Sequence, residues 1–207
     1  MMRHLPRLAA ALLLLVAGCS EAHPAASPSA AASAPACRTE LPETTSGLLQ
    51  VRQVWPDSPD DVHDYSAAAY DAAACTATPS PVDCAHPFPW IAGTVTQTDA
   101  VLGAMGVAYV HEATLTRGSS TVREVVLTLR GTAETEDHPL MQVGLRCGAM
   151  THDLPVLAFQ LPVGSDDIGG TGILAASSDK ILWLAFTEGD WTEAEELRVT
   201  KLALSVL

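Results

Sequence analysis

Four carboxylates and an imidazole fall within the eight residues Asp57-Ser58-Pro59-Asp60-Asp61-Val62-His63-Asp64. Carboxylate oxygens in a loop are the ligands that calcium takes, but this stretch lacks the Asp-x-Asp-x-Asp-Gly order with a closing Glu. A solvated Asp-Pro turn has the same composition. A second acidic loop, Asp166-Asp167-Ile168-Gly169-Gly170-Thr171-Gly172, carries glycines that let a backbone approach a ligand closely. It has no following Lys, and two carboxylates repel phosphate, so it does not read as a phosphate cradle. His111 falls on the apolar face of its segment between Tyr109 and Ala113, where a core histidine satisfied by backbone is a simpler reading than a ligand. His63, His86, His138 and His152 each stand next to an Asp or a Pro. With no His-x-His or His-Glu-x-x-His unit, we expect no metal site and no cofactor.

Nucleophilic catalysis has equally little to build on. There is no Gly-x-Ser-x-Gly elbow and no Ser-x-x-Lys with a companion motif. Any chain with 24 acidic residues holds pairs of carboxylates, but 5% aromatic residues leave little for a sugar-binding cleft. The best candidate for recognition is His86-Pro87-Phe88-Pro89-Trp90, in which prolines restrain a loop that carries two rings. Phe88 and Trp90 are therefore the expected binding residues; the alternative is that they pack inside the fold.

Cys37, Cys75, Cys84 and Cys147 form an even set with no Cys-x2-Cys unit, which favours two disulfides over zinc or redox chemistry. Four cysteines allow three connectivities. Cys75 and Cys84 enclose a short loop containing Pro79 and Pro81, so we expect Cys75–Cys84 and, by remainder, Cys37–Cys147. In the chain-entropy model such bridges contribute about 3 and just under about 5 kcal/mol.

The elements that would position these residues show mostly period-two patterning. Val125, Leu127 and Leu129 share one face of Val122 to Arg130, while Glu124, Thr128 and Arg130 share the other with Val126. The preceding segment carries Val107, Tyr109, Ala113 and Leu115, and Arg117-Gly118-Ser119-Ser120 between the two reads as a hairpin turn. Met141 to Cys147 and Leu157 to Leu161 alternate as well. Ile181 to Phe186 is apolar on both faces, which suits a central strand. Leu48 to Trp55 is an expected first strand, and Leu197 to Leu207 an expected last one whose alternation changes phase near Lys201. Asp64 to Cys75 is Ala-rich and reads as one short helix; Thr192-x-x-Glu195 matches a capping box with room for a turn or two. The expected fold is mostly β: a β-sandwich of antiparallel strands with one short helix and two disulfides.

At the N-terminus, Arg3 and Arg7 precede the apolar run Leu8 to Ala17, which is too short for the roughly 20 residues that span a bilayer. The run closes on Val16-Ala17-Gly18-Cys19. This segment resembles the signal peptide and lipobox of bacterial lipoproteins, which implies that Cys19 is acylated and becomes the mature N-terminus. The resemblance covers residues 1–20 alone. We expect residues 1–18 to be a signal peptide, 19–36 a lipid-anchored Ala/Ser/Pro linker that reaches roughly 20 to 50 Å, and 37–207 the β domain. Ser20 after the Cys would suit delivery to an outer membrane where there is one.

Without Arg3 and Arg7, nine basic residues face 24 acidic ones, a charge near −15. Nucleic acid and anionic lipid surfaces require a positive partner surface, so neither is expected. These observations lead us to expect a cell-envelope protein, lipid-anchored at the cell membrane or outer membrane and facing the periplasm or exterior. Its domain would be non-catalytic, binding another envelope protein or polymer or serving structurally. The alternatives are an envelope hydrolase using Asp/Glu and His, or a divalent-metal-handling module.

Overall fold

A computed structural model describes residues 36–57, 62–77, 84, 97–131, 137–150, 154–163, 168–187 and 189–207. All belong to the unit Ala34–Leu207. Eight strands are described: β1 (Arg38–Glu40), β2 (Val62–Tyr70), β3 (Val107–Arg117), β4 (Ser120–Leu129), β5 (Ala149–Met150), β6 (Leu157–Val163), β7 (Ile168–Ser177) and β8 (Lys180–Thr187). Four helices accompany them: α1 (Val51–Val54), α2 (Gln97–Ala104), α3 (Pro139–Cys147) and α4 (Glu193–Val206).

The strands pair antiparallel throughout, in the order β1-β2-β3-β4-β8-β7-β6-β5. The mostly-β antiparallel class and the presence of two disulfides are as the sequence led us to expect. The strands form one hydrogen-bonded sheet, however, and helices cover its faces where a sandwich would place a second sheet. The β3–β4 and β7–β8 hairpins each turn in two residues, with Gly118 (φ 59°) and Ser178 (φ 51°) in the left-handed region that such turns need.

One face of the sheet packs Val110, Val125, Leu127, Phe159, Leu174 and Trp183 beneath α2 and α3, which contribute Val101, Leu102, Leu140, Met141 and Val143. The other packs Ala113, Leu115, Val122, Val126, Leu182, Leu184 and Phe186 beneath α4 and the segment Leu48–Trp55. Alternating residues of one strand therefore meet opposite layers, and Ile181 to Phe186 is buried at every position.

Four expected elements are corrected. Asp64–Cys75 is mainly strand β2, not helix: its alanines are small enough to lie under close neighbours, with Ala67 and Ala68 both buried. Leu197–Leu207 belongs to helix α4, whose buried residues Val199, Thr200 and Ala203 follow helical spacing. Thr192 and Glu195 do form the capping box, but it starts a 14-residue helix. Met141–Cys147 is helix α3, opened by Pro139 and capped by the His138 side chain, with Leu145 turned outward. Leu48–Trp55 is a loop ending in the single turn α1.

The disulfides are Cys37–Cys75 and Cys84–Cys147, which replaces the expected Cys75–Cys84 and Cys37–Cys147. The reason is register. Arg38 pairs with Tyr70, so Cys37 lies beside the exit of β2 and Asp71 N–H reaches Cys37 O at 2.9 Å; Cys75, one turn further, meets it with a Cα separation of 4.8 Å. A short sequence loop loses to a strand pairing that loop length does not reveal.

Cys37–Cys75 packs under α2 at Gly103. A methyl group there would overlap Cys75 Sγ and lie 2.7 Å from Cys75 Cβ. Alanine normally favours a helix over glycine by about 1 kcal/mol, yet overpacking a buried contact costs about 1–3. Gly103→Ala is therefore expected to lower stability in chemical denaturation by about 1–2 kcal/mol. Non-reducing peptide mapping should recover Cys37 linked to Cys75.

Candidate functional site

The most unusual group in the described residues is a carboxyl in the middle of the sheet. Glu124 lies on β4 between Val122 and Val126, opposite Ala113 of β3 and Leu184 of β8, and is 1% exposed. Its Oε2 accepts a hydrogen bond from Leu49 N–H at 2.6 Å, while Oε1 has no partner among the described residues. Tyr65 of β2 donates its hydroxyl to Leu49 O at 3.1 Å. One residue of the covering segment is thus held through both backbone groups.

That segment, Leu48–Trp55, is a strap across the second face. Leu48, Leu49, Val54 and Trp55 are each nearly or fully buried, and each contributes about 1.5–3 kcal/mol by leaving water. Its far end is held by Arg198 of α4, which donates to Gln53 O at 3.0 Å and Val54 O at 2.6 Å. Trp55 packs near Trp191, whose ring meets Phe186 edge-on, and the Arg117 guanidinium sits 5.2 Å from the Trp55 ring centroid.

Burial disfavours the charged carboxylate and pushes Glu124 up to about 7; the Leu49 N–H, which favours the charged form, only partly offsets this. The Tyr65 hydroxyl is also raised, by burial first and then by Glu124. Sequence reading placed Glu124 on the face of β4 that it shares with Val126, Thr128 and Arg130, without singling it out. The missed signal was Val122, which with Val126 flanks Glu124 on that face.

On the opposite face, His138 caps α3. Its Nδ1 accepts from Leu140 N–H, which leaves Nε2 to carry the proton and donate to Met105 O at 2.8 Å. The ring is therefore neutral, and burial lowers its affinity for a second proton, with the Met105 hydrogen bond acting in the other sense. Beside β1, Asp99 of α2 accepts from Arg38 at 2.9 Å and from the Tyr70 hydroxyl at 2.8 Å; burial and this bond hold the Tyr70 phenol well above its ordinary range.

Of the sequence candidates, Cys19, Phe88, Trp90, His86, His152, Asp60, Asp61, Asp166 and Asp167 lie outside the described residues. Asp57 is exposed beyond α1, and His63 and Asp64 are exposed on β2. His111 lies on the strap side of β3, half-buried, with its proton affinity lowered by burial and by Lys180. Cys37, Cys75, Cys84 and Cys147 are all in disulfides. Among the described residues, no three His, Cys, Asp or Glu side chains converge as metal ligands, and no helix is long and apolar enough to cross a membrane. No protein-family model, curated protein or solved structure matches the chain.

His138 gives a pH dependence with a definite sign. Its folded proton affinity lies below that of the unfolded chain, so the unfolded state binds more protons as pH falls through about 6.5, and stability drops there. His138→Asn keeps a good capping residue without the titration. Between pH 7.5 and 5 this variant is expected to lose less stability than the wild type, as measured by urea denaturation at both pH values.

Proposed function

We propose that the chain is an exported, lipid-anchored envelope protein, tethered through Cys19 and residues 20–36. Its β domain acts by binding another envelope protein or polymer. The observation that carries this reading is the pairing of all four cysteines of the domain, Cys37 with Cys75 and Cys84 with Cys147. Disulfides persist in oxidising compartments outside the cytosol, the destination that Val16-Ala17-Gly18-Cys19 implies. Acyl chains contribute about 0.8 kcal/mol per buried methylene, so several on one Cys make a durable anchor.

A binding role agrees with how the described polar groups are used. Glu124 and Tyr65 fasten a backbone segment, His138 caps a helix, and Arg38, Asp99 and Tyr70 join β1, β2 and α2. The contact edge we assign is the one the sequence marks, Phe88 and Trp90.

Replacing Cys19 by Ser is expected to move the exported protein from the membrane fraction to the soluble fraction. The wild-type N-terminal peptide should carry acyl mass. A Cys19→Ser variant that still sediments with membranes, together with an unmodified wild-type peptide, rejects the anchor.

Trp90→Ala is expected to reduce crosslinking to the envelope partner at least tenfold, since an interface anchor commonly contributes 2 kcal/mol or more, with the melting temperature unchanged. A sharp fall in melting temperature with partners unchanged would place Trp90 in the core.

A further inference from the structure

Glu124 satisfies one buried backbone donor, Leu49 N–H, and does so with a group that titrates. It occupies a central position of a fully covered face, where a leucine would match Val122, Val126 and Leu184, and it leaves Oε1 without a donor among the described residues. Its one bond goes to the strap, at Leu49 N–H. We propose that Leu48–Trp55 is a proton-controlled strap: seated on the sheet while Glu124 is protonated, and loosened, from the Leu49 end, as Glu124 ionises.

The geometry sets the direction. In the seated state a negative charge would be shared between Oε2, with one backbone donor, and Oε1, with none. Lifting the Leu49 end gives both oxygens access to water, so ionisation favours the lifted state. The groups around the carboxyl do not supply a compensating charge. From β2 it is faced by Tyr65, whose hydroxyl is committed to Leu49 O, with exposed His63 further along the strand. From β3 its neighbour is Ala113; His111 follows two residues along on the same face, opposite Val126, with its proton affinity lowered by burial and by Lys180, and Arg117, over Trp55, ends the strand. From β8 its neighbour is Leu184. From α4 the cation nearest the strap, Arg198, is committed to Gln53 O and Val54 O, and the half-buried carboxyl of Glu196, raised by burial, is bonded to Thr171 of β7. The Arg198 contact makes the device a hinge: Arg198 holds the α1 end by bonds that do not titrate near neutrality, while the Leu49 end is held by one that does.

The size of the effect follows from the displacement of the carboxyl from 4.5 to about 7, which corresponds to a change of up to about 300-fold in the opening equilibrium, or about 3 kcal/mol. Leu48 and Leu49, the buried side chains at the lifting end, oppose opening by about 3–6 kcal/mol together. The strap therefore stays mostly seated at every pH, and its opening becomes more frequent as pH rises between about 4.5 and 7.

The test is hydrogen exchange at the Leu49 amide, corrected for intrinsic rates, on the full chain at pH values from 4.5 to 8. Wild-type protection is expected to fall by up to about 300-fold across this range. Amides in the β7–β8 hairpin, such as Leu182, should not follow. Glu124→Gln keeps an acceptor for Leu49 N–H and should give a flat profile. Tyr65→Phe should lower protection at every pH and keep the step.

A flat wild-type profile overturns the proposal, as does a step that survives in Glu124→Gln or one shared equally by Leu182. Should Glu124→Gln not fold, carbon-detected titration of the wild-type Glu124 carboxyl decides instead: a midpoint near 7 supports the strap, and one at 4.5 overturns it.

Discussion

The pairing of β4 with β8 is the constraint from which the rest of the architecture follows. It runs from Thr121 opposite Thr187 to Thr128 opposite Lys180 and joins two antiparallel halves, β1 to β4 and β5 to β8, into one sheet. At this joint both strands are apolar on both faces, with Val125, Val126 and Leu127 lying beside Trp183, Leu182 and Ile181. A sheet with such a centre cannot leave either side to water, since each buried side chain contributes about 1.5–3 kcal/mol. Two covering layers are required. The helix after β4 lies on one face and the helix after β8 on the other.

Close approach of those layers depends on small residues at the crossings. A methyl group at Gly144 of α3 would lie 2.9 Å from Leu157 Cδ1, and one at Gly172 of β7 would lie 2.5 Å from the Trp183 ring. The Phe159–Trp183 contact, with centroids 5.8 Å apart, fills the volume these glycines leave. Toward β2 the same role falls to Ala67 and Ala68. Small residues on a strand are thus the counterpart of the large ones at the joint, and they are also why β2 looked helical as a sequence.

What was legible in the chain was the part governed by local alternation. The hairpin at Arg117 to Ser120 and the central position of Ile181 to Phe186 follow directly from period and turn chemistry. The misread segments are those where period two and period 3.6 coincide over a few residues. Met141 and Val143 fit both, and only the outward Leu145, 54% exposed, separates them. In α4 the phase change near Lys201 was the helical period itself. The disulfide pairing depended on the Cys37 end of β1 meeting the exit of β2, a long-range fact with no local trace. Glu124 was hidden for the same reason: alternation assigns a residue to a face but does not say whether that face is covered.

Covering both faces has an electrostatic consequence. Each layer holds a hydrogen-bonded group whose proton affinity burial has shifted, His138 at the start of α3 and Glu124 beneath the strap. Burial disfavours charge in both, but charge is gained on acidification by the imidazole and lost by the carboxyl. Acidification through about 6.5 therefore withdraws stability at the α3 face, while the fall from about 7 to 4.5 restores it at the strap face. The windows overlap and the signs oppose. Through these two groups, acidification shifts local stability from the α3 face toward the strap face.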